Sequence, residues 1–101
     1  MAKAVLVVRA QVAEVDRAAF DHWYATDHLP LAMKRFGAER GWRAWSRTEP
    51  GVHCAFYEFA DAARLDAVLG GPIVKEMIAE FDGAWGDRVT RTREILDVAP
   101  A

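Results

Sequence analysis

Side chains able to do acid–base chemistry lie close together in the segment DHWYATDHLPLAMKRFG, residues 21–37. Tyr24, Asp27 and His28 follow Trp23 at helical spacing, so a phenol, a carboxylate and an imidazole fall on a stripe expected to face the core. A neutral imidazole beside a cavity can act as a general base, and a phenol one turn earlier can donate a hydrogen bond. We therefore predict His28 and Tyr24 as catalytic residues and Trp23 as a ligand-binding residue in the pocket wall.

The alternative interpretation of this stripe is structural. A lone histidine on a helix face is commonly a buried or boundary residue whose hydrogen bonds are satisfied, and Trp23 is the kind of side chain that fills a core. The pattern leaves both interpretations open.

Pro30 interrupts the same segment. A proline in a helix interior removes one hydrogen bond and crowds the carbonyl of Thr26, at a cost of about 3 kcal/mol. The sequence therefore predicts that the helix ends near Thr26 and restarts with Asp27 as its N-cap. His28 would then lie at the positive end of a short helix, which would lower the pKa of its imidazole.

A hairpin should supply the rest of the pocket. Two predicted strands, residues 39–48 and 52–59, flank the turn sequence EPG. A tight turn there pairs Thr48 with His53, and this register decides which side chains share a face. One face then carries three predicted ligand-binding residues: Arg43, Trp45 and Phe56.

The remaining pattern completes the fold. We predict a strand at residues 3–9, a helix capped by Asp61, a further helix opened by Pro72, and a last strand at 87–98. The order β-α-β-β-α-β, in a single domain spanning residues 1–101, predicts an α+β ferredoxin-like antiparallel sheet with its helices on one face. Because the helices cover only one side, we expect the other side to pair with a second copy, forming a homodimeric barrel.

Composition limits the classes of partner. The 101 residues carry a formal net charge of −2, which gives no general attraction to nucleic acid or to an anionic membrane surface. Cys54 is the only cysteine, and the five-residue apolar run near the N-terminus is short for a signal peptide, so we expect a cytoplasmic protein. The three histidines show no metal-ligand spacing, and we predict no metal and no cofactor.

Arginines alternate along the last predicted strand. Arg88, Arg91 and Arg93 occur in the sequence RVTRTRE. Such a row is usually solvated or ion-paired, but any arginine that faces a cavity would favour an anionic ligand. The sequence does not fix which way these side chains point.

The chain resembles the EthD-like family of the dimeric α+β barrel superfamily. The resemblance lies in FDHWYATDHLPLAMKRFG, YEFADAARLDAVLGGP and FDGAWGDRV, and it spans roughly residues 3–96. His28 matches the family's histidine directly, whereas Trp23 and Tyr24 match only as part of an aromatic-rich first helix. The resemblance implies a homodimer whose facing sheets enclose a hydrophobic cavity beside that helix.

Relatives in this superfamily include cofactor-independent monooxygenases, polyketide cyclases, lactone isomerases and haem-degrading enzymes. The chain lacks a convincing Asn/Trp/His set of the haem-degrading members. We therefore expect an enzyme that acts on a hydrophobic, aromatic or polyketide-like molecule by cofactor-independent acid–base or monooxygenase chemistry. The alternative is a non-catalytic ligand-binding or accessory dimer.

Overall fold

Four strands form one antiparallel sheet in the order β2-β3-β1-β4. The computed structural model describes residues 2–100 of the chain. The strands are β1 (Ala4–Val12), β2 (Arg40–Trp45), β3 (Val52–Phe59) and β4 (Val89–Asp97). With the helices placed between β1 and β2 and between β3 and β4, this is the predicted ferredoxin-like arrangement.

The helices begin and end largely where the sequence indicates. They are α1 (Arg17–Trp23), α2 (Leu29–Phe36), α3 (Ala62–Leu69) and α4 (Pro72–Trp85), with short 3₁₀ turns at Glu14–Asp16 and Gly86–Arg88. Asp61 caps α3, because its Oδ1 accepts a hydrogen bond of 2.9 Å from the backbone N–H of Arg64. Gly37 ends α2 in the left-handed conformation at φ 65°.

The predicted break near Pro30 is wrong. Residues Tyr24–His28 form a π turn that joins α1 to α2 without leaving the helical path, and the Leu29 N–H donates to the Tyr24 carbonyl. A wider turn accommodates a proline that offers no N–H and would crowd the carbonyl four residues earlier. Asp27 is consequently exposed and caps nothing, whereas Tyr24 and His28 are both buried.

The predicted hairpin register is also wrong, by three residues. Trp45 lies opposite His53, and Trp42 lies opposite Phe56. The connecting loop is longer than a tight turn because the Ser46 hydroxyl accepts hydrogen bonds from the Thr48 and Glu49 N–H groups, at 3.3 and 3.0 Å. Since side chains alternate along a strand, an odd shift places Trp45 and Phe56 on opposite faces of the sheet.

The core lies on the side of the sheet that the helices cover, here called the helix face. Buried residues of the strands meet buried residues of the helices there; the larger ones are Leu6, Phe20, Tyr24, Tyr57, Phe59, Leu65 and Phe81. The opposite side, here called the open face, carries a pair of stacked rings, Trp42 and Phe56, with centroids 5.1 Å apart and planes 9° apart. Trp42 remains 37% exposed and Leu96 40% exposed, so this chain leaves part of the open face uncovered.

Candidate functional site

The predicted catalytic residues line a pocket between the helices and the sheet. Its volume is about 40 Å³. Most of its wall is apolar, and His28, Tyr24, Tyr57, Arg91 and Arg93 supply the polar groups. The pocket therefore lies on the helix face of the sheet.

His28 forms a dyad with a carboxylate from α4. Its Nδ1 lies 3.1 Å from Oε1 of Glu80, so an ionised carboxylate accepts from Nδ1–H and leaves the lone pair on Nε2. Burial lowers the pKa of His28 below its usual value of 6.5, and the hydrogen bond to Glu80 opposes part of that shift. The predicted direction is confirmed, but its cause is burial in the pocket and not the start of a helix.

Two tyrosines complete the polar end of the pocket. The hydroxyls of Tyr24, on the π turn, and Tyr57, on β3, lie 3.0 Å apart, and both side chains are buried. Burial raises the pKa of Tyr24 to about 12 and raises that of Tyr57 as well. Both phenols are therefore protonated at neutral pH. One donates to the other, which leaves one O–H free to donate to a ligand.

Arg91 and Arg93 enter the pocket wall from β4. The guanidinium of Arg91 lies 3.9 Å from the ring centroid of Phe81 and donates a hydrogen bond of 3.2 Å to Asp82. Burial lowers the pKa of Arg91 from its usual value, against the opposing effect of Asp82. The question left open by the sequence is thus answered for these two residues, since both line a cavity.

Arg43 and Trp45 belong to a separate cluster beside α1. Oδ1 of Asp21 accepts hydrogen bonds of 2.8 Å from the Trp45 indole and from Arg43, and these bonds lower the pKa of Asp21. Arg43 also lies 3.3 Å from Nε2 of His53. Since a guanidinium only donates, His53 carries its proton on Nδ1, which has no partner within residues 2–100. Burial lowers the pKa of His53 to about 4.

Three of the predicted ligand-binding residues therefore lie outside the pocket wall, and the fourth supports it from behind. Arg43 and Trp45 surround His53, and Phe56 lies on the open face. Trp23 stacks on the His28 ring with centroids 4.7 Å apart. Trp45 and Phe56 do not share a face of the sheet as predicted, because the register differs by three residues.

Sequence reasoning missed Tyr57 and Glu80. Tyr57 was assigned to a strand, and the observed register places it on the helix face opposite Leu6. Glu80 is next to Phe81, which belongs to the apolar stripe of α4. Its partner, His28, is 52 residues away in the chain, and helical spacing cannot reveal a contact at that separation.

Comparison with known proteins confirms the fold. No protein-family profile and no curated protein sequence matches the chain. The solved structures that match include SnoaB of Streptomyces nogalater, described as a cofactor-independent oxygenase, with 14% identity, a TM-score of 0.68, and coverage of 100% of this chain and 97% of that one. An EthD family protein of Bacillus halodurans C-125 matches with 19% identity, a TM-score of 0.65, and coverage of 90% and 96%.

A third match is described as a dimeric ferredoxin-like protein from an uncultured marine organism. Its identity is 16% and its TM-score is 0.55, with coverage of 100% of this chain and 99% of that one. The expected resemblance to EthD-like proteins is confirmed at the level of the fold.

Two further surveys cover residues 2–100. No helix in this part of the chain is long and apolar enough to cross a bilayer. Within the same range, His, Cys, Asp and Glu side chains form no group of three or more that could hold a metal ion.

Proposed function

We propose that this protein is a small-molecule enzyme that uses His28 as a general base on a hydrophobic, aromatic or polyketide-like substrate. The observation that carries the proposal is the His28–Glu80 dyad beside a tyrosine pair at the polar end of an apolar pocket. A buried, uncharged imidazole oriented by a carboxylate is a common arrangement for proton abstraction near neutral pH.

Each polar group has a role in one proton transfer. Nε2 of His28 takes a proton from a C–H or O–H of the substrate, and Glu80 stabilises the imidazolium that forms. The substrate is left as an anion, which the free hydroxyl proton of the tyrosine pair and the guanidinium of Arg91 stabilise. The likeness in fold to an oxygenase described as cofactor-independent supports chemistry in which such an anion reacts directly with oxygen.

We also propose that the working unit is a cytoplasmic homodimer joined through the open face. The exposed Trp42 and Leu96 provide an apolar surface for a second copy, and one protein of the same fold is described as dimeric. The lone Cys54 suits a reducing compartment.

A ligand-binding or accessory protein is the second candidate. It is favoured by the mostly apolar wall of the pocket, because an apolar molecule can bind there without any proton transfer at the polar end. In that case His28 would orient a bound molecule without taking its proton.

The test replaces His28 and its carboxylate partner separately. Tricyclic ketones and phenols with an acidic C–H, beginning with anthrone, serve as probes, and the readouts are deuterium exchange, oxygen uptake and the dissociation constant. We expect His28→Ala to lower kcat/KM by about 10²- to 10⁴-fold while affinity stays within about tenfold. Glu80→Gln should move the acid limb of the pH profile of kcat/KM to lower pH, because Glu80 raises the pKa of His28.

Glu76→Gln is the matched control, since Glu76 lies on the same helix but pairs with Arg35 at the surface. It should leave both the rate and the pH profile unchanged. A wild-type protein that binds these probes without turnover, and loses binding in His28→Ala, would support the second candidate.

A further inference from the structure

The pocket at His28 shares part of its wall with a second, larger cavity. This outer cavity has a volume of about 480 Å³ and is lined by Leu6, Leu69, Val74, Arg93 and Ile95. Leu6, Val74 and Arg93 also line the inner pocket, so the two cavities are adjacent on the helix face, and together they are here called the groove.

The two volumes indicate that the two parts of the groove would bind different parts of a ligand. A space of about 40 Å³ admits little more than a single water or one small functional group. A space of about 480 Å³ falls in the range of sites that bury drug-sized ligands. The body of a ligand therefore belongs in the outer cavity, with only its reacting group entering the space beside His28 and the tyrosines.

Arg93 is the only charged residue in the outer wall, and it stands where the two cavities meet. Within residues 2–100 no Asp or Glu side chain lies at ion-pair distance from Arg93. Arg91, two residues earlier on the same face, is by contrast paired with Asp82. The exposed guanidinium of Arg93 thus lies beside leucine, valine and isoleucine side chains and has no carboxylate partner within the described residues.

An uncompensated guanidinium on an apolar wall fits a hydrophobic monoanion. Its planar fork matches the two oxygens of a carboxylate, and a charge-assisted bond of this kind is about twice as strong as a neutral one. A dianionic phosphate would need a second free cation, and a simple phenol is not ionised at neutral pH.

We infer that the ligand of this groove is a hydrophobic carboxylate, whose apolar body packs on Leu69, Val74 and Ile95 and whose carboxylate pairs with Arg93. The inference rests on the proposed function for the identity of the groove as a substrate site, and it goes further by naming the substrate class and the residue that selects it.

The test compares 2-naphthoate with 2-naphthamide, which has the same shape and no charge. Isothermal titration should show that the wild-type protein binds the acid at least tenfold more tightly than the amide. Arg93→Gln should weaken binding of the acid at least tenfold and change binding of the amide less than twofold. Arg88→Gln is the matched control, because Arg88 pairs with Asp16 outside the groove, and it should change neither.

Three results would overturn the inference: equal binding of acid and amide by the wild-type protein, an equal loss of both in Arg93→Gln, or no binding of either probe. His28→Ala separates this inference from the proposed function, because it should retain the affinity for 2-naphthoate. If the preference for the acid depends on Arg93 but His28→Ala leaves turnover unchanged, the carboxylate site stands and the general-base function fails.

Discussion

Two buried histidines of this chain differ in the charge of their nearest polar partner. His28 faces the carboxylate of Glu80, which favours the protonated ring, whereas His53 faces the guanidinium of Arg43, which disfavours it. Both rings are desolvated, and burial is the largest contribution to each lowered pKa. His28 therefore lies beside a group that stabilises its protonated form, whereas His53 is held neutral as part of the core.

The low pKa of His53 should make the folded protein sensitive to acid. Its folded-state pKa is about 4 against 6.5 for a free histidine, so its contribution to stability is complete above pH 6.5 and is lost as the pH falls towards 4. At pH 5 the loss amounts to about 2 kcal/mol. Between pH 8 and pH 5, the free energy of unfolding should therefore fall by about 2 kcal/mol less in His53→Leu than in the wild-type protein. Urea denaturation at the two pH values measures this difference.

The control is His22→Gln, because His22 is exposed. This variant should show the wild-type difference between the two pH values. An undiminished acid loss in His53→Leu would contradict the assignment to His53, and His28, whose pKa shifts in the same direction, would then carry the effect.

At the scale of single elements, predictions from local chemistry succeed where one residue decides the outcome. Asp61 caps α3, Pro72 opens α4 and Gly37 ends α2 as predicted, since each depends on its own backbone preference. The π turn at Tyr24–His28 was not predictable in this way, because a helix can accommodate a proline either by ending or by forming a wider turn. The hairpin register depended on Ser46, whose bonds within the loop compete with strand pairing.

Gly51 fixes the geometry of that loop and joins it to β1. It adopts φ +81°, its carbonyl accepts a hydrogen bond of 2.8 Å from the Val12 N–H, and an added Cβ would lie 2.6 Å from the Val12 carbonyl oxygen. We expect Gly51→Ala to lower the free energy of unfolding by about 3 kcal/mol, combining the left-handed backbone cost with the steric clash.

Gly37→Ala is the matched control. Gly37 has φ +65° but no atom within 4 Å of an added Cβ, so only the backbone cost of about 1 kcal/mol should appear. Urea denaturation of both variants gives the comparison. Equal losses would show that the contact with Val12 does not constrain the loop.

At the scale of the whole molecule, the two faces of the sheet carry different features. The helix face holds the core and the groove, whereas the open face presents the stacked Trp42 and Phe56. The sequence correctly predicted one covered and one uncovered face, because two helical regions can shelter only one side of a sheet. It did not predict that α4 would supply part of the wall of the pocket at His28, since the packing of α4 against the π turn depends on contacts between residues far apart in the chain.

Introducing a single charged residue on the open face should dissociate the proposed dimer into single chains. Trp42→Glu removes the exposed ring of the Trp42–Phe56 stack on the edge strand β2 and puts a carboxylate in its place, and covering that charge with a second copy costs free energy. We expect the wild-type protein to show the mass of two chains in sedimentation equilibrium and Trp42→Glu to show the mass of one chain.

Val15→Glu provides the comparison. Val15 is an apolar residue that is 87% exposed in the 3₁₀ turn before α1, away from the sheet, so its replacement should preserve the mass of two chains. A wild-type mass of one chain would reject dimerisation through the open face and would leave the groove on the helix face unaffected.

The parallel stack of Trp23 on His28 has an optical consequence. With ring centroids 4.7 Å apart and planes 21° apart, the indole lies in direct contact with the imidazole that we assign as the base. A protonated imidazole is an efficient quencher of indole fluorescence, whereas a neutral one is a weak quencher. Light emitted from Trp23 should therefore report whether the His28 ring is charged, so its intensity gives a direct optical readout of the proposed proton transfer.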